Sequence, residues 1–328
     1  MVACMASNRV SSVNSPVTDP HISPAQTANL PKGIFLIVVA FLCIAIMSAF
    51  GKAAADLPTG PLVFFQNGIS LLLFAPFILR HGTKELRTTR IGLHVVRALT
   101  GLLSQALFFI AVKKIALVDA VLLANAAPLF IPIVALVWMR TSIRPAVIAS
   151  LLVGFVGVIM ILKPSAELLK DPAALIAISA AAFSAVALVS VNTLSSTDKS
   201  DTILFYYFFI STVATLPFAF MQWQTPQGNQ WMYLLGVGVF MALGQLFIIL
   251  AYKHASAAQI APFNYSVVIF SGIIGWMVWH AALDLVALLG IALVCAGGIA
   301  SIVYTGKTQT HAFALSHGHG LQKAQCDA

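Results

Sequence analysis

SQALFFIAVKK, residues 104–114, lies over GQLFIILAYKH, residues 244–254, when the chain is shifted along itself by about 140 positions. Gln105 then meets Gln245, Ala111 meets Ala251 and Lys113 meets Lys253. The same shift, with no gap, pairs Phe65 with Phe205, Gly157 with Gly297 and Lys52 with Asn192. Self-similarity at a fixed offset marks a duplicated unit.

Each unit consists of long apolar runs. Of the 328 residues, 60% are hydrophobic and 9% charged, a balance that no water-soluble globule needs for its core. A bilayer core of roughly 30 Å takes about 20 apolar residues per helix. Runs of that length recur at 33–54, 61–80, 91–112, 117–139, 145–162, 173–194, 202–221, 231–252, 258–279 and 284–304. Barrel strands would be about ten residues long and alternate in polarity. These runs are apolar on every side, which predicts an all-α integral membrane protein of about ten transmembrane helices.

Five helices fall in each unit. Because five is odd, the second unit begins on the opposite side of the membrane, and the two form inverted repeats, the architecture of secondary transporters that rock two bundles about a midplane site. The expected organisation is a disordered tail over 1–31, a first repeat over 32–163, a linker over 164–172, a second repeat over 173–304 and a disordered His-containing tail over 305–328.

Arg80, Lys84, Arg87 and Arg90 crowd the link after the second span, Arg140 and Arg144 that after the fourth, and Lys199 and Lys253 later links on the same side. The positive-inside rule places these links and both tails in the cytoplasm. Trp223, Trp231 and Trp279 fall at outer helix ends and Trp138 at an inner one, as an aromatic belt requires. The net charge of +8 thus describes membrane topology, and no nucleic-acid surface is read from it. The first 31 residues carry no apolar segment, so no cleavable signal peptide is expected. Cysteines at 4, 43, 295 and 326 fit neither a disulfide framework nor a metal site, and His311, His317 and His319 belong to a solvated tail. GxxxxGK[ST], HExxH and GxSxG do not occur, so neither ATP hydrolysis nor intramembrane proteolysis or ester hydrolysis is expected, and no cofactor.

LLANAAPLFIP, residues 122–132, sets Asn125 beside Pro128 and Pro132 inside the fourth span. The 140-residue shift puts Asn125 on Tyr265, next to Asn264 and near Pro262 in IAPFNYSVVIF. Proline frees a backbone carbonyl that hydrocarbon cannot satisfy, so such a break belongs where it faces protein or a wet cavity. The fourth helix of each repeat is therefore read as cavity-lining; the competing reading has Asn125 bonding a neighbouring helix. Gln105 and Gln245 occupy equivalent, mid-membrane positions on the third helices, and amides that both donate and accept suit a zwitterionic, amide or heterocyclic metabolite. Arg97, on one helical face with Arg90 and His94, is the deepest charge. It serves either as an anion-attracting mouth or as a side chain snorkelling to headgroups. Lys52 and Asp119, near outer helix ends, are anchors or caps, with Asp119 the best-placed carboxylate for a coupling proton. Tyr206, Tyr207 and Tyr252 are open to either packing or contact roles. No deep carboxylate is present for a carrier built solely around lipophilic cations.

ALVDAVLLANAAPLF, its counterpart ASAAQIAPFNYSVVIFSGIIGW, and the closing SLLVGFVG and GIALVCAG resemble the EamA repeat of the drug/metabolite transporter superfamily, over residues 33–304. LRTTRIGLHVVRALTGLLSQALFFIAVKKI is further similar to a bacterial subgroup that includes S-adenosylmethionine uptake carriers and amino-acid exporters. The resemblance implies a bacterial inner-membrane carrier whose cavity is lined mainly by helices one, three, four, six, eight and nine. The chain departs from the family where a Gly-Glu pair after each fourth helix is replaced by Arg140-Thr141 and His280-Ala281, and where an early Arg of the second helix is replaced by Gln66-Asn67.

Together these readings predict a non-enzymatic secondary carrier that moves a small polar metabolite, such as an amino acid or an S-adenosylmethionine-like compound, by alternating access. Its expected substrate-binding residues are Gln105, Gln245, Asn125, Tyr265, Asn264, Arg97 and Asn192, and its partners are the substrate, the bilayer and a coupling proton. A lipid or lipid-linked precursor translocase is the alternative, and an intramembrane enzyme the remote one. Gly154, Gly157, Gly290, Gly297 and Gly298 permit close helix packing, within one chain or across a homodimer.

Overall fold

The computed structural model describes residues 29–54, 56–81, 86–112, 114, 122–140, 145–163, 171–279, 285–286 and 288–300. Every regular element among them is a helix. The first repeat contains α1 (Leu30–Ala53), α2 (Thr59–His81), α3 (Ile91–Val112), α4 (Ala127–Met139, preceded by a helical turn at 122–124) and α5 (Pro145–Leu162). The second contains α6 (Ala173–Ser195), α7 (Ser200–Met221), α8 (Gln230–Tyr252), α9 over 257–279 and α10 (Leu288–Ala300). Among the described residues, eight helices are long and apolar enough to cross a bilayer, and α4 and α10 are shorter apolar ones. The protein is thus an all-α membrane protein of about ten helices, as expected. Residues 1–28 of the N-terminal tail, the C-terminal tail, the 164–170 part of the linker, Asp119, and the Thr141 and His280-Ala281 positions lie outside the described residues, and α1 takes in the last two residues of the segment expected as the first tail.

Local chemistry explains why these segments hold together as helices in lipid. Serine and threonine hydroxyls turn back on their own helix, as in Ser48 to the Ile44 carbonyl (2.8 Å), Thr100 to Val96 (2.6 Å) and Ser190 to Val186 (2.7 Å), so few polar groups reach hydrocarbon unsatisfied. Large apolar side chains such as Phe35, Leu72, Leu152, Phe218 and Trp276 are exposed, the surface that a bilayer covers.

The packing carries the symmetry that the sequence implies. α1 packs on α8 while α3 packs on α6; α1 meets α9 while α6 meets α4; α2 meets α8 while α7 meets α3; and α2 packs on α7. Adding five to one helix number and subtracting five from the other converts each pair into its mate, as a two-fold axis in the membrane plane requires. The same operation appears at atomic scale between α5 and α10. A Cβ on Gly157 would lie 2.6 Å from the Gly290 carbonyl oxygen, and one on Gly297 would lie 2.8 Å from that of Ser150. The shift that carries 157 to 297 also carries 150 to 290. Small residues are therefore used for close packing within one chain.

Candidate substrate site

Arg97 and Gln245 bring the third helices of the two repeats together. Arg97 stands six residues into α3, and Gln245 seven residues before the end of the antiparallel α8. At 1.5 Å per residue both are on the order of 10 Å inside the same face. The Arg97 Nη2 donates to Gln245 Oε1 at 2.5 Å. The guanidinium lies 4.2 Å from the ring centroid of Tyr207 on α7, a cation–π arrangement. Arg97 is 4% exposed. Its side chain turns into the bundle and does not reach for the interface. Beside it, Gly101 leaves room: a Cβ there would sit 3.6 Å from the Arg97 Nη1 and 3.5 Å from the Tyr207 ring.

Gln105 is placed elsewhere. It lies eight residues beyond Arg97, about 12 Å further along α3, half-buried and without a hydrogen bond to a described residue. The inversion that equates Gln105 with Gln245 in sequence sets them on opposite sides of the midplane, and of the two it is Gln245 that meets Arg97.

The fourth helix of each repeat breaks at the expected place. Before α4, Asn125 and Ala126 leave the helix, with i to i+3 backbone bonds from Ala126 N to Leu123 O and from Leu129 N to Ala126 O. In α9 a turn at Ala257–Ile260 gives way to a 3-10 stretch, Ala261–Tyr265, before the helix resumes at Ser266–Trp279. Asn264 and Tyr265 are buried there, and neither the Asn264 amide nor the Tyr265 hydroxyl has a hydrogen-bond partner among the described residues. The Tyr265 ring packs against Gly154 and Phe155. Asn192 holds the start of α9, its Oδ1 accepting from the Ala257 amide at 3.1 Å, beside a capping box formed by Ser256 and Gln259.

On the face where α3 begins, the His94 Nε2 lies 2.7 Å from Asp198 Oδ2 in the link between α6 and α7, and Thr88 Oγ1 donates to the same oxygen at 2.9 Å. Tyr206 covers the imidazole at 4.7 Å between ring centroids and donates to the Leu86 carbonyl. Asp198 is a residue that sequence reasoning missed, because it sits outside any span. Only the packing of α6 and α7 on α3 brings it to a buried histidine. The face is basic: burial and then neighbouring Lys32 and Lys253 hold His254 below its ordinary pKa, and burial does the same for Lys253, partly offset by Asp201. Lys52 is exposed in the last turn of α1, as an anchor would be. At the opposite face Phe65 touches Trp223 and Trp231, both about half exposed.

A family model matches the chain twice, over residues 31–163 and 171–303, and its description is EamA-like transporter family. The chain belongs to that family. This EamA-type protein is a multi-pass membrane transporter. It is 31% identical over 276 residues to a pseudopaline exporter of Pseudomonas aeruginosa, covering 84% of this chain and 94% of the relative. It is 29% identical to a riboflavin transporter of Vibrio cholerae (76% and 85% covered) and 24% identical to an S-adenosylmethionine uptake transporter of Rickettsia felis (79% and 86%). A crystal structure superposes with a TM-score of 0.72 at 17% identity, covering 85% of this chain and 99% of the other; at that identity the likeness is one of fold.

Proposed function

We propose that this EamA-type transporter is a secondary carrier that moves a small polar metabolite, zwitterionic, amide or heterocyclic, across the inner membrane of a bacterium by alternating access. The supporting observation is the Arg97–Gln245 bond, which joins the third helices of the two inverted repeats below the membrane surface. A site shared by two halves is one that their relative motion opens and closes. The broken α4 and α9, with Asn125, Asn264 and Tyr265, contribute the cavity wall, and Asn192 positions α9.

The His94–Asp198–Thr88 cluster closes the basic face over this site. With the tails and the basic links in the cytoplasm, the described conformation is shut toward the cytoplasm. The relatives include both an exporter and an uptake transporter, so direction is read from the experiment.

Soluble metabolites inside and outside cells carrying the wild-type chain, the Gln245→Ala variant or an empty vector test the proposal. One chemical class shifts with wild type and recovers toward the empty-vector level in Gln245→Ala. A change confined to the lipid extract would replace this reading with lipid translocation.

A further inference from the structure

Arg97 is a permanent cation in a low-dielectric place, and the described residues leave its charge uncompensated. Arginine does not deprotonate in proteins, so burial cannot neutralise it as it would a lysine. The carboxylate on this face among the described residues, Asp198, is engaged by His94 and Thr88 and not by Arg97. What Arg97 does touch, an amide oxygen and an aromatic face, supplies partial negative charge only.

The remaining capacity around the guanidinium consists of donors. Arg97 Nε is buried without a partner among the described residues. The Gln245 amide nitrogen reaches only the Met241 sulfur, at 3.9 Å, a weak acceptor. The Tyr252 hydroxyl, buried at the end of α8, has no partner among the described residues either. A buried cation with unused N–H groups beside it matches an oxyanion: guanidinium and carboxylate form parallel charge-assisted hydrogen bonds, and a flanking donor satisfies a remaining lone pair.

Resting on the carrier proposal above, we infer that Arg97 receives a carboxylate of the transported metabolite, with the Gln245 amide as a flanking donor. The substrate class is therefore a small organic acid or zwitterion with a free carboxylate. A neutral amide or heterocycle lacking an oxyanion leaves the cation unpaired, and a purely cationic metabolite meets like charge. Gln245 holds Arg97 in place before the acid arrives, and the incoming carboxylate takes over the charge that the amide oxygen only partly offsets.

The metabolite comparison is extended to Arg97→Gln and Arg97→Lys, with each full-length variant checked for monodispersity in detergent so that misfolding is recognised. The metabolites that shift with wild type carry a free carboxylate. Their transport falls by about tenfold or more in Arg97→Gln, the scale of truncating one partner of a buried charge pair. Arg97→Lys, which keeps the charge and loses the fork, retains an intermediate rate. Shifting metabolites without an oxyanion, or unchanged transport in folded Arg97→Gln, overturn the inference and leave the carrier proposal standing. No shift at all with wild type removes both. Phospholipids that co-purify with wild type but not with Arg97→Gln, in the absence of any metabolite shift, assign the oxyanion to a lipid phosphate and overturn the metabolite carboxylate.

Discussion

A buried charge reports its function through what surrounds it. Arg97 and His94 stand one turn apart on one face of α3, yet they have opposite fates: His94 has a carboxylate in Asp198 at 2.7 Å, and Arg97 has an amide and a ring. The first pair ties α3 to the link between α6 and α7; the second leaves the charge that we propose an acid receives. If the tie closes that face, removing it loosens access without touching the site. In a background lacking the four cysteines, Gly101→Cys beside Arg97 is expected to react with a thiol reagent several-fold faster when Asp198→Ala is added. Equal labelling rates in inside-out vesicles would show that His94–Asp198 does not gate access. Gln105 offers a contrast within α3: it forms no hydrogen bond among the described residues, so Gln105→Ala is expected to impair transport less than Gln245→Ala, and the reverse order would move the site toward the other end of α3.

At the scale of elements, the broken fourth helices were legible because proline and an amide within an apolar run conflict with an uninterrupted helix. The sequence pairing of Asn125 with Tyr265 located the break in both halves. How the break is held was not legible, since Asn192 and Ala257 are far apart in the chain and meet only after α6 and α9 pack. The Asn192 side chain acts as an N-cap supplied from a neighbouring helix. Asn192→Ala is expected to cost about 1 kcal/mol, the usual worth of such a cap, seen as a lower midpoint of thermal unfolding in detergent. Ser256→Ala, which removes the capping box of the same turn, is expected to act in the same range. A midpoint unchanged by Asn192→Ala would mean that the bond does not hold α9.

The whole molecule is governed by its two-fold relation, and there the close glycine contacts are the sensitive points. Gly157→Leu and Gly297→Leu place side chains against the Gly290 and Ser150 carbonyls, so each is expected to destabilise by about 1–3 kcal/mol or more. Gly51→Ala and Gly92→Ala, whose added Cβ meets nothing within 4 Å, serve as controls. Thermal midpoints that fail to separate the two groups would disprove the α5–α10 contact. The apolar runs, their number and the 140-residue offset determined by themselves that this is a membrane protein of two inverted five-helix repeats. Hydrocarbon demands self-satisfied helices of fixed length, and an odd count forces inversion. The surroundings of Arg97, on which the proposed site rests, were decided by tertiary structure. Sequence equivalence singled out Gln105 and Gln245, whereas the axis that makes them equivalent carries them to opposite depths, and packing of α3 on α6 and α7 turns Arg97 toward Tyr207 and Gln245.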